Sequence, residues 1–403
     1  MPTLLIYNPV SGGRTAEHFV NTHVLPLLEH AHLKPDAVLA TEHAGHAGAF
    51  VTTYLEEHAG PFKIVLAAGD GTLHEVIEAL TNTPPKGQRA AAPPARLSFA
   101  LVPCGTANAL YASFFPPADG GDEDETAYKL RSVRALVDGR PSAPLTLALT
   151  SLHSPPNKRA PRAPRVAVSA VVASTALHAS ILADSEKMRA EVPGLERFQR
   201  AAAQNLTRWY AASVTFFPTA AAGVVEVYDP ATRAFVPHPA STEDDPIVDL
   251  AGPFAYFVAV VNVDRLEPKF RIAPLWRDIE PQGAAMDVVV LRPERDPSTR
   301  MDSEEMREAF AEKLKGVLGG AYQDGAHVGL TYAEDGCVRD DGEGWSVVEY
   351  FRCGGWEWEP DDIDDRAHLV CADGDIHEIE KGGKATCTAV TPADDKSGFA
   401  VYV

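Results

Sequence analysis

Short apolar runs alternate with helix-spaced apolar positions through the first 115 or so residues. The runs are Thr3–Tyr7, Ala37–Ala40, Lys63–Ala67 and Ser98–Val102, and each reads as a buried strand. Amphipathic stretches lie between them at Ala16–His30, His46–Glu57, Thr72–Leu80 and near Thr106–Phe114. Apolar strands separated by helices predict a parallel sheet covered on both faces. One more helix is expected from about Thr126 to Val137, after an acidic, glycine-containing loop at Ala118–Glu125.

After Gly139 the pattern changes. Pro144–Thr150, Arg165–Ala173, Val214–Phe217, Gly223–Tyr228, Phe254–Val263, Met286–Leu291 and Ala367–Cys371 read as strands of an antiparallel domain. A helix from about Ser303 to Leu318 interrupts them. The expected fold class is therefore an α/β N-terminal nucleotide-binding domain with a parallel sheet, residues 1–140, and a β-rich C-terminal domain, residues 141–403. The last strands are expected to close the second domain.

Composition narrows the function. A chain of 403 residues suits two domains or a little more, and 45% hydrophobic residues allow a sizeable core. The net charge of −20 makes a poor general binder of nucleic acid or anionic membrane, so any site for a polyanion must be local. Five widely spaced cysteines without a CxxC pair argue against zinc or a disulfide framework and fit reduced thiols in the cytosol. The first apolar run lacks a basic flank and reads as a strand, not a signal peptide. No run of 18 apolar residues occurs, so no membrane span is expected. The sequon Asn205-Leu206-Thr207 reads as chance.

Three glycine-bearing turns follow three of the predicted parallel strands: Asn8–Gly13, Gly69–Thr72 and Pro103–Asn108. Ligands of open α/β sheets bind beyond the carboxyl ends of the strands, so all three turns point at one crevice. Glycines let backbone N–H groups approach phosphate oxygens, and the following helices offer their N-termini to the same anion. Thr72 and Glu75 also fit a capping box. Asp70, between two glycines on a phosphate turn, is either a general base or indirect magnesium ligand, or a residue that caps the turn.

GDGTLHEVIEAL, NPVSGG and PCGTANALYAS together resemble the signatures of the diacylglycerol kinase/sphingosine kinase catalytic domain. The first is shared more loosely with NAD kinases and phosphofructokinases. TEHAGHA at Thr41–Ala47 resembles that family's stretch after the second strand, and ADSEKMR with LERF resembles a segment of eukaryotic sphingosine kinases. CADGD at Cys371–Asp375 is similar to the family's late DGE turn.

The resemblance implies an ATP- and Mg2+-dependent lipid kinase. It is expected to be cytoplasmic, to touch membranes transiently at their periphery, and to hold the lipid's tails in an apolar cavity of the second domain. Carried over, it assigns Asn8, Ser11, Gly12, Thr41, Gly69, Gly71, Thr72, Gly105, Thr106 and Asn108 to the nucleotide, and Asp70 to the role of base. Arg189 and Arg197 would face the phosphates; surface ion pairing with Glu186 or Glu196 is the alternative. Asp373 and Asp375 would lie near the nucleotide, Asp375 through Mg2+, unless they form an ordinary Asp-Gly hairpin.

Four positions depart from the family pattern: Ala68 for glycine, Asp375 for glutamate, Gln282-Gly283 for Asp-Gly, and Ser180 for the acidic residue that reads a lipid head group. Asp184, one helical turn on, could supply that charge. The acceptor is thus a sphingoid base or a diacylglycerol-like lipid. A soluble-substrate kinase related to NAD kinase and a catalytically impaired nucleotide-binding relative are the alternatives. The basic loop with Lys158, Arg159, Arg162 and Arg165 reads as a solvated insertion, Trp345, Trp356 and Trp358 as core, and His43, His46 and His74 as too scattered for a metal.

Overall fold

In the computed structural model the chain divides into two units: Met1–Leu147 with Leu266–Pro268 and Thr391–Val403, and Ala148–Arg265 with Lys269–Val390. The structure describes all residues except 93, 118–123, 156–163, 190, 193, 195, 343 and 393–396. Most of the acidic loop, Lys158, Arg159, Arg162 and the leucine of LERF therefore lie outside the described residues. Arg165 is exposed at the start of its strand.

The first unit holds a six-stranded sheet. Four strands are β1 (Thr3–Tyr7), β2 (Ala37–Ala40), β3 (Phe62–Ala68) and β4 (Leu97–Pro103), which pair in parallel in the order β2-β1-β3-β4. Alternate side chains point to opposite faces. Leu5, Val65, Ala67, Ala100 and Val102 pack under Phe19, Val20, Val24 and Leu28 of the helical segment 16–30 and under Val133 and Leu136. The helices His46–Glu57 and Asp70–Asn82 pack on each other, burying Val51, Leu55, Val76 and Ile77. Burying one such leucine or isoleucine is worth about 2–5 kcal/mol against alanine.

The expectation that the last strands close the second domain is corrected here. Phe399–Tyr402 joins the first sheet, parallel to β4, and Ser142–Pro144 pairs antiparallel on its other side. The buried Ser132 hydroxyl fixes the insertion, donating to the Tyr402 carbonyl at 2.6 Å and accepting from the Leu101 amide at 3.0 Å.

The second unit is built on an eight-stranded and a six-stranded antiparallel sheet. Phe216 of one sheet stacks on Phe351 at 4.5 Å and on Phe257 at 6.1 Å of the other. Trp356 and Trp358 are fully buried against Phe257, as expected of core residues. Trp345 is not core: it is 61% exposed on a separate three-stranded sheet. The helices Ala176–Lys187 and Glu196–Asn205 pack on one another in this unit. Asn205 of the sequon is buried, its amide donating to Asp184 and to the Ala201 carbonyl, so it offers no glycan site.

Candidate active site

In the first unit the three turns are knitted together by backbone. Asn8 N–H donates to the Ala67 carbonyl and Cys104 N–H to the Ala68 carbonyl, each bond tying a turn to β3. A Cβ on Gly105 would lie 2.4 Å from the Gly69 Cα, and one on Gly12, whose φ is +49°, would lie 2.5 Å from the Cys104 carbonyl oxygen. These three glycines are required by contact between the turns themselves. Gly71 differs: it is exposed, and a Cβ there would meet nothing within 4 Å.

Side chains complete the lacing. Asn108 holds a left-handed conformation (φ +54°, ψ +45°), its side chain accepting from Gly105 N–H at 2.8 Å and donating to the Gly105 carbonyl at 2.9 Å. This delays the helix, expected from Thr106, to Ala109–Phe114. Asn8 caps its own turn by accepting from Val10 N–H, and its amide lies 3.4 Å from the Thr72 hydroxyl. The Asp70 carboxylate accepts from Ala109 N–H at 2.8 Å and Leu110 N–H at 3.2 Å. It therefore ties the second turn to the third.

The capping box is not formed. The helix starts at Asp70 with Gly69 at the N-cap, and Thr72 lies buried within its first turn. Thr41 is buried, with its N–H on the Tyr7 carbonyl, while Thr106 is exposed and Ser11 half-buried. The N–H groups of Gly12, Gly13, Gly71 and Thr106 find no acceptor among the described residues. Such orphaned donors beside the start of a 13-residue helix are of the kind that anions accept. Burial pushes the Cys104 thiol up, against the opposing charge of Lys129, which disfavours the reactive thiolate.

In the second unit Asp373 and Gly374, at φ +48° and +106°, make the two-residue hairpin between Leu369–Ala372 and Asp375–Glu378. The Asp373 carboxylate accepts from the amides of Ala170, Val171 and Val172 at 2.6, 2.9 and 2.7 Å. Its acceptor capacity thus goes largely to the backbone that breaks the expected strand Arg165–Ala173 in two. Asp375 is exposed. Arg189 pairs with Glu186 at 2.6 Å on the surface, one of the two ion pairings weighed above. Glu196 is held by Arg200, and Arg197 lies over the Phe198 ring at 4.7 Å. Burial, then the charge of Arg189, holds the Arg197 pKa below its ordinary value.

Asp184 does not offer a spare charge. It receives Arg366 through both oxygens at 2.8 and 2.9 Å, Lys187 at 3.0 Å and Asn205 at 2.9 Å. Burial pushes the carboxyl up, but the bonds from Asn205, Lys187 and Arg366 outweigh it and hold it down at about 2. The expectation that Asp184 could stand in for the head-group acid fails on this geometry. Ser180 is 0% exposed, so it borders no water-sized space. Neither its hydroxyl nor that of Tyr210 closes a hydrogen bond of good geometry. Burial pushes the Tyr210 phenol up to about 12, with Ser180 beside it opposing. Tyr210 and Arg366 carried no signal in the sequence, since their partners are distant in the chain.

Residues 2–136 match the model of the diacylglycerol kinase catalytic domain. Human sphingosine kinase 2 is 34% identical over 125 residues, covering 30% of this chain and 18% of that protein's length. Two solved structures from Bacillus anthracis str. Sterne, each described as a "putative diacylglycerol kinase", match 96% of this chain and 94% of theirs. Their TM-scores are 0.52 and 0.51, at 12% identity, a likeness of fold alone. No helix among the described residues is long and apolar enough to cross a membrane. Over residues 2–136, then, this chain is similar to diacylglycerol kinase catalytic domains, and it spans less than a fifth of the length of the human relative.

Proposed function

We propose that this chain is an ATP-dependent lipid kinase that phosphorylates a neutral hydroxyl lipid. The observation that carries the reading is the set of unsatisfied N–H donors on three interlocked turns, with Asp70 fixed among them. The N–H groups of Gly12, Gly13, Gly71 and Thr106 bind phosphate oxygens, assisted by Asn8, Ser11 and Thr72. Asp70, oriented by Ala109 and Leu110, takes the proton of the acceptor hydroxyl. The lipid O–H bond breaks as its oxygen joins phosphorus, and the bond from phosphorus to the ADP oxygen breaks.

Carboxylate oxygens are the donors that Mg2+ takes, and Asp70, at the turns themselves, is of that kind. The ion, when bound, neutralises charge on the phosphates. Positioning and charge supply most of the acceleration and the base a smaller part. The lipid substrate brings the chain to a membrane surface transiently.

The acceptor follows from Asp184. A carboxylate already holding two cations has little left for an ammonium. This favours a diacylglycerol-like lipid over a sphingoid base. Radiolabelled ATP offered with diacylglycerol, ceramide, a sphingoid base and NAD tests the reading. Label on diacylglycerol or ceramide supports it. Label on the sphingoid base overturns the acceptor, and label on NAD alone, or on nothing, overturns the lipid kinase.

A further inference from the structure

The carboxyl ends of the parallel strands carry the turns; their amino ends carry a second hollow. It has a volume of about 290 Å3, and Leu97 and Phe399, the first residues of adjacent strands, are in its wall. Leu55 and Leu80 line it as well, and these four residues are buried. The helix Asp70–Asn82 runs from the second turn to this end, about 20 Å at 1.5 Å per residue. The hollow is therefore distinct from the turns.

One charged group stands in the otherwise largely apolar wall. Arg89 is half-buried and lines the hollow. Its guanidinium donates to the Leu80 carbonyl at 3.1 Å, and among the described residues no carboxylate bonds to it. Among the described residues the fully buried guanidinium groups have acids: Arg265 and Arg271 share Asp264, Arg292 has Glu349 and Arg352 has Asp287. Carboxylates outnumber basic side chains 56 to 36, which makes an acid-free arginine conspicuous. Burial alone pushes the Arg89 pKa down, with no opposing acid. His58, which also lines the hollow, gives its Nδ1 hydrogen to the Tyr54 carbonyl at 3.0 Å.

We infer that this hollow binds a small amphiphilic anion, its carboxylate or phosphate monoester head on Arg89 and its short apolar body against Leu55, Leu80, Leu97 and Phe399. A guanidinium takes either head through paired N–H bonds. The volume lies at the small end for ligand pockets, which selects short chains. The inference is independent of the kinase reading, because it rests on the opposite end of the sheet.

Calorimetry and thermal melting of the full chain test it, with octanoate, octyl phosphate, octanol and inorganic phosphate as probes. Octanoate, octyl phosphate or both should bind and raise the melting temperature, and whichever binds identifies the head. Octanol and inorganic phosphate should bind at least ~10-fold more weakly, each lacking one half of the recognition. Arg89→Gln should weaken the anion by ~10-fold or more, while Arg89→Lys should keep the preference for octanoate or octyl phosphate over octanol. The inference falls if neither amphiphile binds, if octanol binds as well as the anion, or if Arg89→Gln binds as tightly as wild type. Should Arg89→Gln fail to fold, the preference retained or lost by Arg89→Lys decides.

Discussion

Asp70 and Asp373 do similar work in different units, and the contrast separates a turn kept open for a ligand from a turn that is finished. Both carboxylates accept backbone amides from a segment distant in sequence. Asp70 takes two, at a turn whose neighbours Gly12, Gly13 and Gly71 still hold unused donors. Asp373 takes three and closes a hairpin. An Asp-Gly pair can be read in sequence at both places, but only the surrounding donors say which one is poised for an anion.

The largest effect that would sharpen the contrast is on the glycines between turns. Gly105→Val places a branched side chain where a Cβ already falls 2.4 Å from the Gly69 Cα, so the variant should not accumulate as folded protein. Gly71→Ala, with nothing within 4 Å, should melt like wild type. Differential scanning calorimetry of the pair decides, and equal melting temperatures would mean that the turns are not in contact.

Asp70→Asn comes next. Loss of a positioned base costs about 10²–10⁴-fold in turnover. The asparagine must also set an N–H donor against the amide of Ala109 or Leu110, which costs about 1–3 kcal/mol of stability. Steady-state rates with chemical denaturation measure both losses. Lost turnover with unchanged stability would separate the base from the lace.

Asp184→Ala leaves Arg366 and Lys187 without their acid and should cost about 3 kcal/mol in urea unfolding. It should do so with no lipid present, as a structural ion pair would.

The smallest effect is in pH dependence. The Asp184 pKa is depressed in the folded chain to about 2, so its contribution is present above the unfolded value near 4 and is lost as pH falls through 2. His178 and His327 run at higher pH: burial lowers both to about 4, so the unfolded chain takes up protons first and stability declines between about 6.5 and 4. Asp184→Asn should remove the lower limb, on the order of 2 kcal/mol, and leave the upper one. Melting temperatures followed from pH 7 to 2.5 would show either limb moving.

Much of the first unit could be read from the chain, because β1 to β4 and their helices are local patterns. Thr3–Tyr7 and Ala37–Ala40 fall where periodicity places them. The helix start at Asp70 was misplaced because Thr72 and Glu75 mimic a cap, while Gly69 provides the true one through its backbone. The second unit was less legible. Ala176–Lys187 buries Ala176, Leu177, Ala179, Ser180, Asp184 and Ser185 around much of its circumference, so it shows no clean apolar stripe. At the candidate site the turns could be found from their glycines, but the saturation of Asp184 could not. Arg366 lies 182 residues away, and sequence spacing carries no trace of so distant a pair.

The strand Phe399–Tyr402 bears on synthesis. Ser132 waits for Tyr402 across 270 residues, so β4 keeps an unpaired edge while the whole second unit is being made. At 5–20 residues per second that interval lasts roughly 15–50 seconds. During it the nascent sheet is open to strangers at the edge where Phe399–Tyr402 belongs. A ribosome-bound chain should therefore gain protease resistance in the first unit only after Phe399–Tyr402 emerges, late for a sheet whose other parallel strands end at Pro103.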